Sequence, residues 1–202
     1  MFSQILILSL SALSLAGASP AESSSSFPAA CGVPGEKCNG QLKTPGLYFI
    51  TQPEGGELRY LTTEEAIGGP LHTWHPGPTV RHYPLWWVKV VEDQFHLTPF
   101  DPSDQSSDIL AVAHAPSSTD IPGSNLVYTA VPTTPKTTLV CAWAIESADN
   151  YLYTINVPGY DAVWKSNYSM PFPTINLEPA DGTSKEHWTF EYYGAQYPTT
   201  WP

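Results

Sequence analysis

The chain is short of cations. Its 202 residues include 8 Lys and Arg against 19 Asp and Glu, a formal net charge of −11. So few scattered cations cannot neutralise a run of phosphates, which argues against nucleic-acid binding. The same sign repels anionic lipid surfaces. Charged residues of either sign reach only 13%, about half the usual share of a soluble domain. Long apolar runs are lacking too. The one apolar stretch, Ile5 to Ala16, is broken by serines and is too short to cross a bilayer. Neither a transmembrane helix nor a lipid-anchor signal is expected. Signatures of catalysis are missing as well: there is no Gly-x-Ser-x-Gly elbow and no His-Glu-x-x-His pair. His72, His75 and His82 lie close in sequence, but no carboxylate or thiolate falls between them, so no metal site is expected. Asp101, Asp104 and Asp108 lack calcium-loop spacing and read as turn formers. No enzyme activity and no cofactor is expected.

What the N-terminus does contain is an address. Ile5 to Ala16 has the length of a signal-peptide core, and Ala16-Gly17-Ala18 supplies small residues for cleavage before Ser19. No Lys or Arg precedes the apolar run, so the terminal amine is its only positive charge. Residues 1–18 are therefore expected to be a signal peptide and the protein to be secreted. Residues 19–45 read as a flexible Ser-rich lead-in followed by a cysteine preamble, with the folded domain over 46–192 and a tail over 193–202.

Three cysteines occur, Cys31, Cys38 and Cys141. Secretion favours a disulfide. Cys31 and Cys38 flank the turn dipeptide Pro34-Gly35, and a small loop closed by that pair is the first choice. A bridge from Cys141 to the preamble is the competing connectivity. Left unpaired, Cys141 reads as a buried, inert thiol. Asn167-Tyr168-Ser169 is a glycosylation sequon, with Asn167 as the acceptor.

Beyond residue 45 no helix-period pattern of useful length occurs. Short alternating runs recur instead, bounded by Pro, Gly, Asp, Asn and Ser. Three opening strands match: Tyr48-Phe49-Ile50, Phe95-His96-Leu97 and Tyr153-Thr154-Ile155. Three closing strands begin with tryptophan: Trp86-Trp87-Val88, Trp143-Ala144-Ile145 and Trp188-Thr189-Phe190. Openers lie 47 and 58 residues apart, closers 57 and 45. Further strands are expected at Glu57–Leu61, Ile109–Ala113, Leu126–Ala130, Ala162–Trp164 and Thr174–Leu177. Units of this length that recur are the mark of a repeated architecture, in which one unit cannot bury its own apolar face. An all-β fold follows. A β-trefoil fits best: three pseudo-repeats of four strands forming a six-stranded barrel with a hairpin cap, closing tryptophans in the core. A β-sandwich is the alternative. The tail tyrosines and tryptophan, Tyr192, Tyr193, Tyr197 and Trp201, are expected along the barrel wall.

The start Gly46-Leu47-Tyr48-Phe49-Ile50, with Tyr151 to Ile155, Trp164, Ile175 to Gly182 and Glu186-His187-Trp188-Thr189-Phe190, resembles the mycospins. These are small β-trefoil serine-protease inhibitors of mushroom-forming fungi. The resemblance spans roughly Gly46 to Tyr192 and implies inhibition through a rigid, extended surface loop. The partner would then be a serine protease. Of the two loop positions the family uses, Thr62 to Gly69 here carries two acids and no cation. The other, Ala180 to Glu186, carries Lys185, which the resemblance makes the pocket-filling residue, flanked by Ser184 and Glu186.

A carbohydrate-binding β-trefoil lectin is the alternative, with glycans as partners. Ricin-type repeats carry Gln two residues before the closing Trp; those positions here are Pro84, Cys141 and Glu186. Trp74, beside His72, His75 and Pro76, reads as a loop aromatic that could stack on a sugar. An interaction protein that has lost both activities is a third reading. All three use one scaffold, because function on a common fold lives in its loops.

Overall fold

The computed structural model describes Cys31 and residues 33–54, 57–63, 67–75, 84–100, 108–115, 125–132, 139–167 and 173–196. The expected signal peptide and Ser-rich lead-in, and Asp101, Asp104, His82, Tyr197 and Trp201, lie outside the described residues. The described chain is all-β, apart from one 3-10 turn at Ser184–Glu186.

The strands are β1 (Glu36–Lys37), β2 (Gly46–Glu54), β3 (Glu57–Thr62), β4 (His72–Trp74), β5 (Leu85–Val91), β6 (Gln94–Pro99) and β7 (Leu110–His114). They continue with β8 (Tyr128–Ala130), β9 (Leu139–Val140), β10 (Ala144–Asp149), β11 (Leu152–Asn156), β12 (Val163–Ser166), β13 (Ile175–Glu178) and β14 (Thr189–Gly194). The expected openers are β2, β6 and β11, and the expected closers are β5, β10 and β14. The His72–Trp74 segment is a strand and not a loop. Its Pro-rich surroundings hide this, because the strand is made by its partners: Trp74 pairs with Tyr60, and His72 bridges to Thr174.

Strand pairings and isolated bridges link the openers to the closers. β2 pairs with β5, placing Tyr48 opposite Trp86, and β5 pairs with β6. Phe95 on β6 exchanges two backbone hydrogen bonds with Trp143, at 2.8 and 2.9 Å. β10 pairs with β11, and Tyr153 on β11 exchanges two bonds of 2.8 Å with Trp188. β14 then pairs with β2. Thus each opening aromatic faces the closing tryptophan of its own unit.

Six further strands form three hairpins, β3–β4, β7–β8 and β12–β13, and β9 pairs with the other edge of β7. A closed triangle of hydrogen bonds joins them. The Leu71 amide donates to the Val127 carbonyl, Val127 to Ile175, and Ile175 to Leu71, each at 2.9 Å. All three residues are fully buried.

Side-chain chemistry repeats with the backbone. Trp86, Trp143 and Trp188 are fully buried, and each indole needs an acceptor once removed from water. Trp86 Nε1 donates to the Leu61 carbonyl at 2.9 Å, Trp143 to Ala111 at 3.1 Å and Trp188 to Trp164 at 3.3 Å. Each acceptor lies on the second strand of the same unit. Trp164 bridges two of the indoles edge-on, with centroids 4.9 Å from Trp143 and 6.4 Å from Trp188.

The packed body begins before Gly46. Cys31 and Cys38 are joined by a disulfide, and both belong to the main core with Leu42, Tyr48, Tyr153 and Tyr192. β1 pairs with β14, the Cys38 amide donates to the Phe190 carbonyl at 2.7 Å, and Tyr153 donates its hydroxyl to the Gly40 carbonyl at 2.8 Å. The expected preamble is therefore core material. Its Cys, Gly and Pro content disguised this, because it packs through turns and a bridge instead of an alternating strand. The C-terminal boundary moves too: β14 continues to Gly194, with Tyr192 turned into the core and only Tyr193 half-exposed.

Candidate functional site

Two surface regions combine built geometry with exposed chemistry. The first is the loop from Pro179 to His187. Lys165 on β12 reaches it from below with a buried side chain. Its Nζ donates to the Pro179 carbonyl at 2.5 Å and lies 2.8 Å from Asp181 Oδ2 and 3.6 Å from Glu186 Oε2. Glu186 accepts the Gly182 amide on Oε1 at 2.7 Å and the Asp181 amide on Oε2 at 3.0 Å. Asp181 Oδ1 accepts the Thr183 amide, and Asp161 Oδ1 accepts the Ala180 amide. From β2, Gln52 donates to the Lys185 carbonyl at 2.6 Å. Gly182 takes φ +72°, a conformation that favours glycine.

The electrostatics follow from this wiring. The hydrogen bond from Lys165, aided by Thr183, holds the Asp181 carboxyl well below the ordinary range. Burial alone would push Lys165 down. Its hydrogen bond to Asp181 and the charges of Asp181 and Glu186 outweigh burial and leave it above its ordinary value.

Of the expected protease-binding residues, Ser184 and Lys185 are exposed. Glu186 is not: it is 3% exposed and faces inward. A buried carboxylate that satisfies two loop amides beside a buried ammonium cannot also contact a protease. Nor is the segment extended. Ser184–Glu186 forms a 3-10 turn, with Glu186 N donating to Thr183 O and His187 N to Ser184 O. In the other expected loop Thr62 and Thr63 are buried, Ile67 and Gly68 are exposed, and residues 64–66 lie outside the described residues.

The second region is a cleft of about 450 Å³. Among the described residues it is lined by Thr44, Pro45, Trp87, Lys89 and Val90. Strand alternation creates it. Trp86 and Val88 point into the main core, so Trp87 and Lys89 must point out. Trp87 packs one side against a small second cluster of Leu47, Leu85 and Phe100 and stays half-exposed. His96 stands across from Lys89 in register, and its pKa is lowered first by burial and then by Lys89. In sequence, Trp86-Trp87-Val88 shows only as a closing strand, with nothing but the alternation itself to mark the outward indole.

Other singled-out residues are placed as follows. His72 is buried, with Nδ1 3.3 Å from the Pro70 carbonyl, and His75 is half-exposed. Among the described residues no group of three or more His, Cys, Asp or Glu is placed to hold a metal ion. Cys141 is outside the disulfide and half-buried, more open than expected, and burial pushes its thiol pKa up. Asn167 is exposed at the end of β12, while Tyr168 and Ser169 lie outside the described residues. Tyr151 and Tyr160 are 47% and 51% exposed.

No family model matches the chain, and no curated protein matches it. Among solved structures it is similar to Cry35Ab1, with a TM-score of 0.58 and 12% identity over 79% of this chain. It spans only 39% of that protein. It is also similar to the designed 3-fold symmetric protein ThreeFoil, with a TM-score of 0.52 and 10% identity, covering 72% of this chain and 98% of that one. A Macrolepiota procera ricin B-like lectin in complex with lactose is similar over 75% of this chain and 98% of its own, with a TM-score of 0.50 and 18% identity. These likenesses concern the fold.

Proposed function

We propose that the chain is a secreted β-trefoil protein that binds glycans and is not an enzyme. The pairings and bridges between openers and closers support a six-stranded barrel, and the Leu71–Val127–Ile175 triangle supports a hairpin cap on a pseudo-threefold axis. The disulfide supports an oxidising compartment. The observation that carries the binding reading is the likeness of three quarters of this chain to nearly the whole of the lectin solved with lactose. Half-exposed aromatics such as Trp87, Tyr151 and Tyr160 suit the apolar faces of sugar rings. Because Pro84, Cys141 and Glu186 replace the ricin-type glutamine, the contacts must come from other residues.

Serine-protease inhibition of the mycospin kind is the second reading. The exposed Lys185, on a loop clamped by Lys165, Glu186 and Gln52, favours it. The helical turn at 184–186 counts against it, since an extended backbone is what a protease cleft accepts. One experiment separates the two: a glycan array run beside titration against trypsin, chymotrypsin and subtilisin. Retention on glycans with no stoichiometric inhibition is expected. Inhibition lost in Lys185→Ala, with a blank array, would reverse the order.

A further inference from the structure

We propose that the cleft between Thr44–Pro45 and Trp87–Val90 is a saccharide site that selects sugars bearing a carboxylate. This rests on the glycan-binding reading and adds a location and a ligand class.

Four features of the cleft point the same way. Its volume, about 450 Å³, falls within the range of small-ligand sites, roughly 300–1,000 Å³. Trp87 offers a rigid aromatic surface, backed by Leu47, Leu85 and Phe100, so little ordering is lost when a ring stacks on it. Pro45 and Val90, the latter 44% exposed, extend the apolar wall, while the Thr44 hydroxyl can both donate and accept. Lys89 is the only charged residue among the described lining residues.

That last feature decides the ligand class. The chain has 19 acids and 8 cations, yet the one charge among the described lining residues is a cation. Lys43, next to Thr44 in the chain, holds its ammonium 5.2 Å above the Tyr192 ring. Across the strand, burial first and then Lys89 lower the His96 pKa while Glu92 raises it, so His96 favours its neutral form and does not replace that charge. An ammonium beside an aromatic wall matches a pyranose whose ring stacks on Trp87 and whose carboxylate meets Lys89.

The test uses the full secreted chain, with calorimetry against three probes: the methyl glycosides of glucuronic acid, N-acetylneuraminic acid and galactose. Tighter binding of one or both acidic glycosides, by about tenfold over galactoside, is expected. Lys89→Gln should remove that preference and leave galactoside unchanged. Trp87→Phe should weaken every glycoside that binds, and circular dichroism checks that both variants fold. Acidic glycosides bound equally well by wild type and Lys89→Gln would overturn the site and leave the glycan reading intact. So would galactoside as the preferred ligand. No binding of these probes together with a blank glycan array would overturn both.

Discussion

Lys165 Nζ, buried beneath the 179–187 loop, lies 2.8 Å from Asp181 Oδ2, on a side chain that is half-exposed. The pair makes loop order depend on pH in two directions. Asp181 titrates below its unfolded value, so its contribution is complete above about pH 4–5 and fades as pH falls toward its folded value. Lys165 titrates above its unfolded value, so its contribution is complete below about pH 10 and fades as pH rises through its folded value. The pair's own contribution to the thermal midpoint should therefore be constant between these limits and fall on either side, while the lowered His96 pKa adds a loss below about pH 6.5 and the raised Cys141 pKa one above about pH 9. Asp181→Asn should flatten the acid limb. An acid limb identical to wild type would show that this pair does not govern it.

Replacing Lys165 by Met leaves Glu186 buried without its cation. The two amides that Glu186 accepts soften the loss, so about 3 kcal/mol is expected, at the low end for a broken buried pair. Denaturant melts of Lys165→Met and of the Lys165→Met/Glu186→Gln double variant measure it. The double variant should recover part of the loss, because the orphaned charge is gone. A double variant less stable than the single one would contradict this account.

The three closing tryptophans should behave as equivalents. Truncating Trp86, Trp143 or Trp188 to Ala should cost about 3–5 kcal/mol each. Trp→Phe should cost less but still orphan the carbonyl of Leu61, Ala111 or Trp164. A cost below 1 kcal/mol at any one of the three, read from urea midpoints, would break the equivalence.

The Cys31–Cys38 bridge closes a short loop that packs into the core. Cys31→Ser/Cys38→Ser should lower stability by about 2–3 kcal/mol. Melting with and without reductant provides the check: reductant should lower the wild-type midpoint and leave the double variant unmoved. A wild-type midpoint indifferent to full reduction would mean that the segment holds by packing alone.

The β5–β6 hairpin turns through Glu92 and Asp93, with φ of +51° and +62°. Two-residue turns of this shape prefer glycine at the second position. Asp93→Gly should raise stability by about 0.5–1 kcal/mol, a shift of a few degrees in Tm. A lowered midpoint would show that Asp93 makes a contact worth more than its backbone strain.

The repeat was legible because its signal is local. An aromatic-x-aliphatic opener and a tryptophan closer each specify a two-faced strand, and recurrence made them units. β4 was not legible: a three-residue strand among prolines and histidines has no periodicity of its own, and it exists through Tyr60 and Thr174. Lys185 is exposed, whereas Glu186 beside it is buried. A glutamate in a Gly-containing loop reads as solvated until Lys165, distant in sequence, is seen beneath it.

Composition and period by themselves determined that this chain is acidic and built of β-strands. Those properties depend on side-chain type and on spacing within one strand. Which tryptophan of Trp86-Trp87 faces solvent, which acid is buried, and which residues share a cleft were decided by contacts between segments tens of residues apart. Such contacts exist only once distant strands have packed on one another.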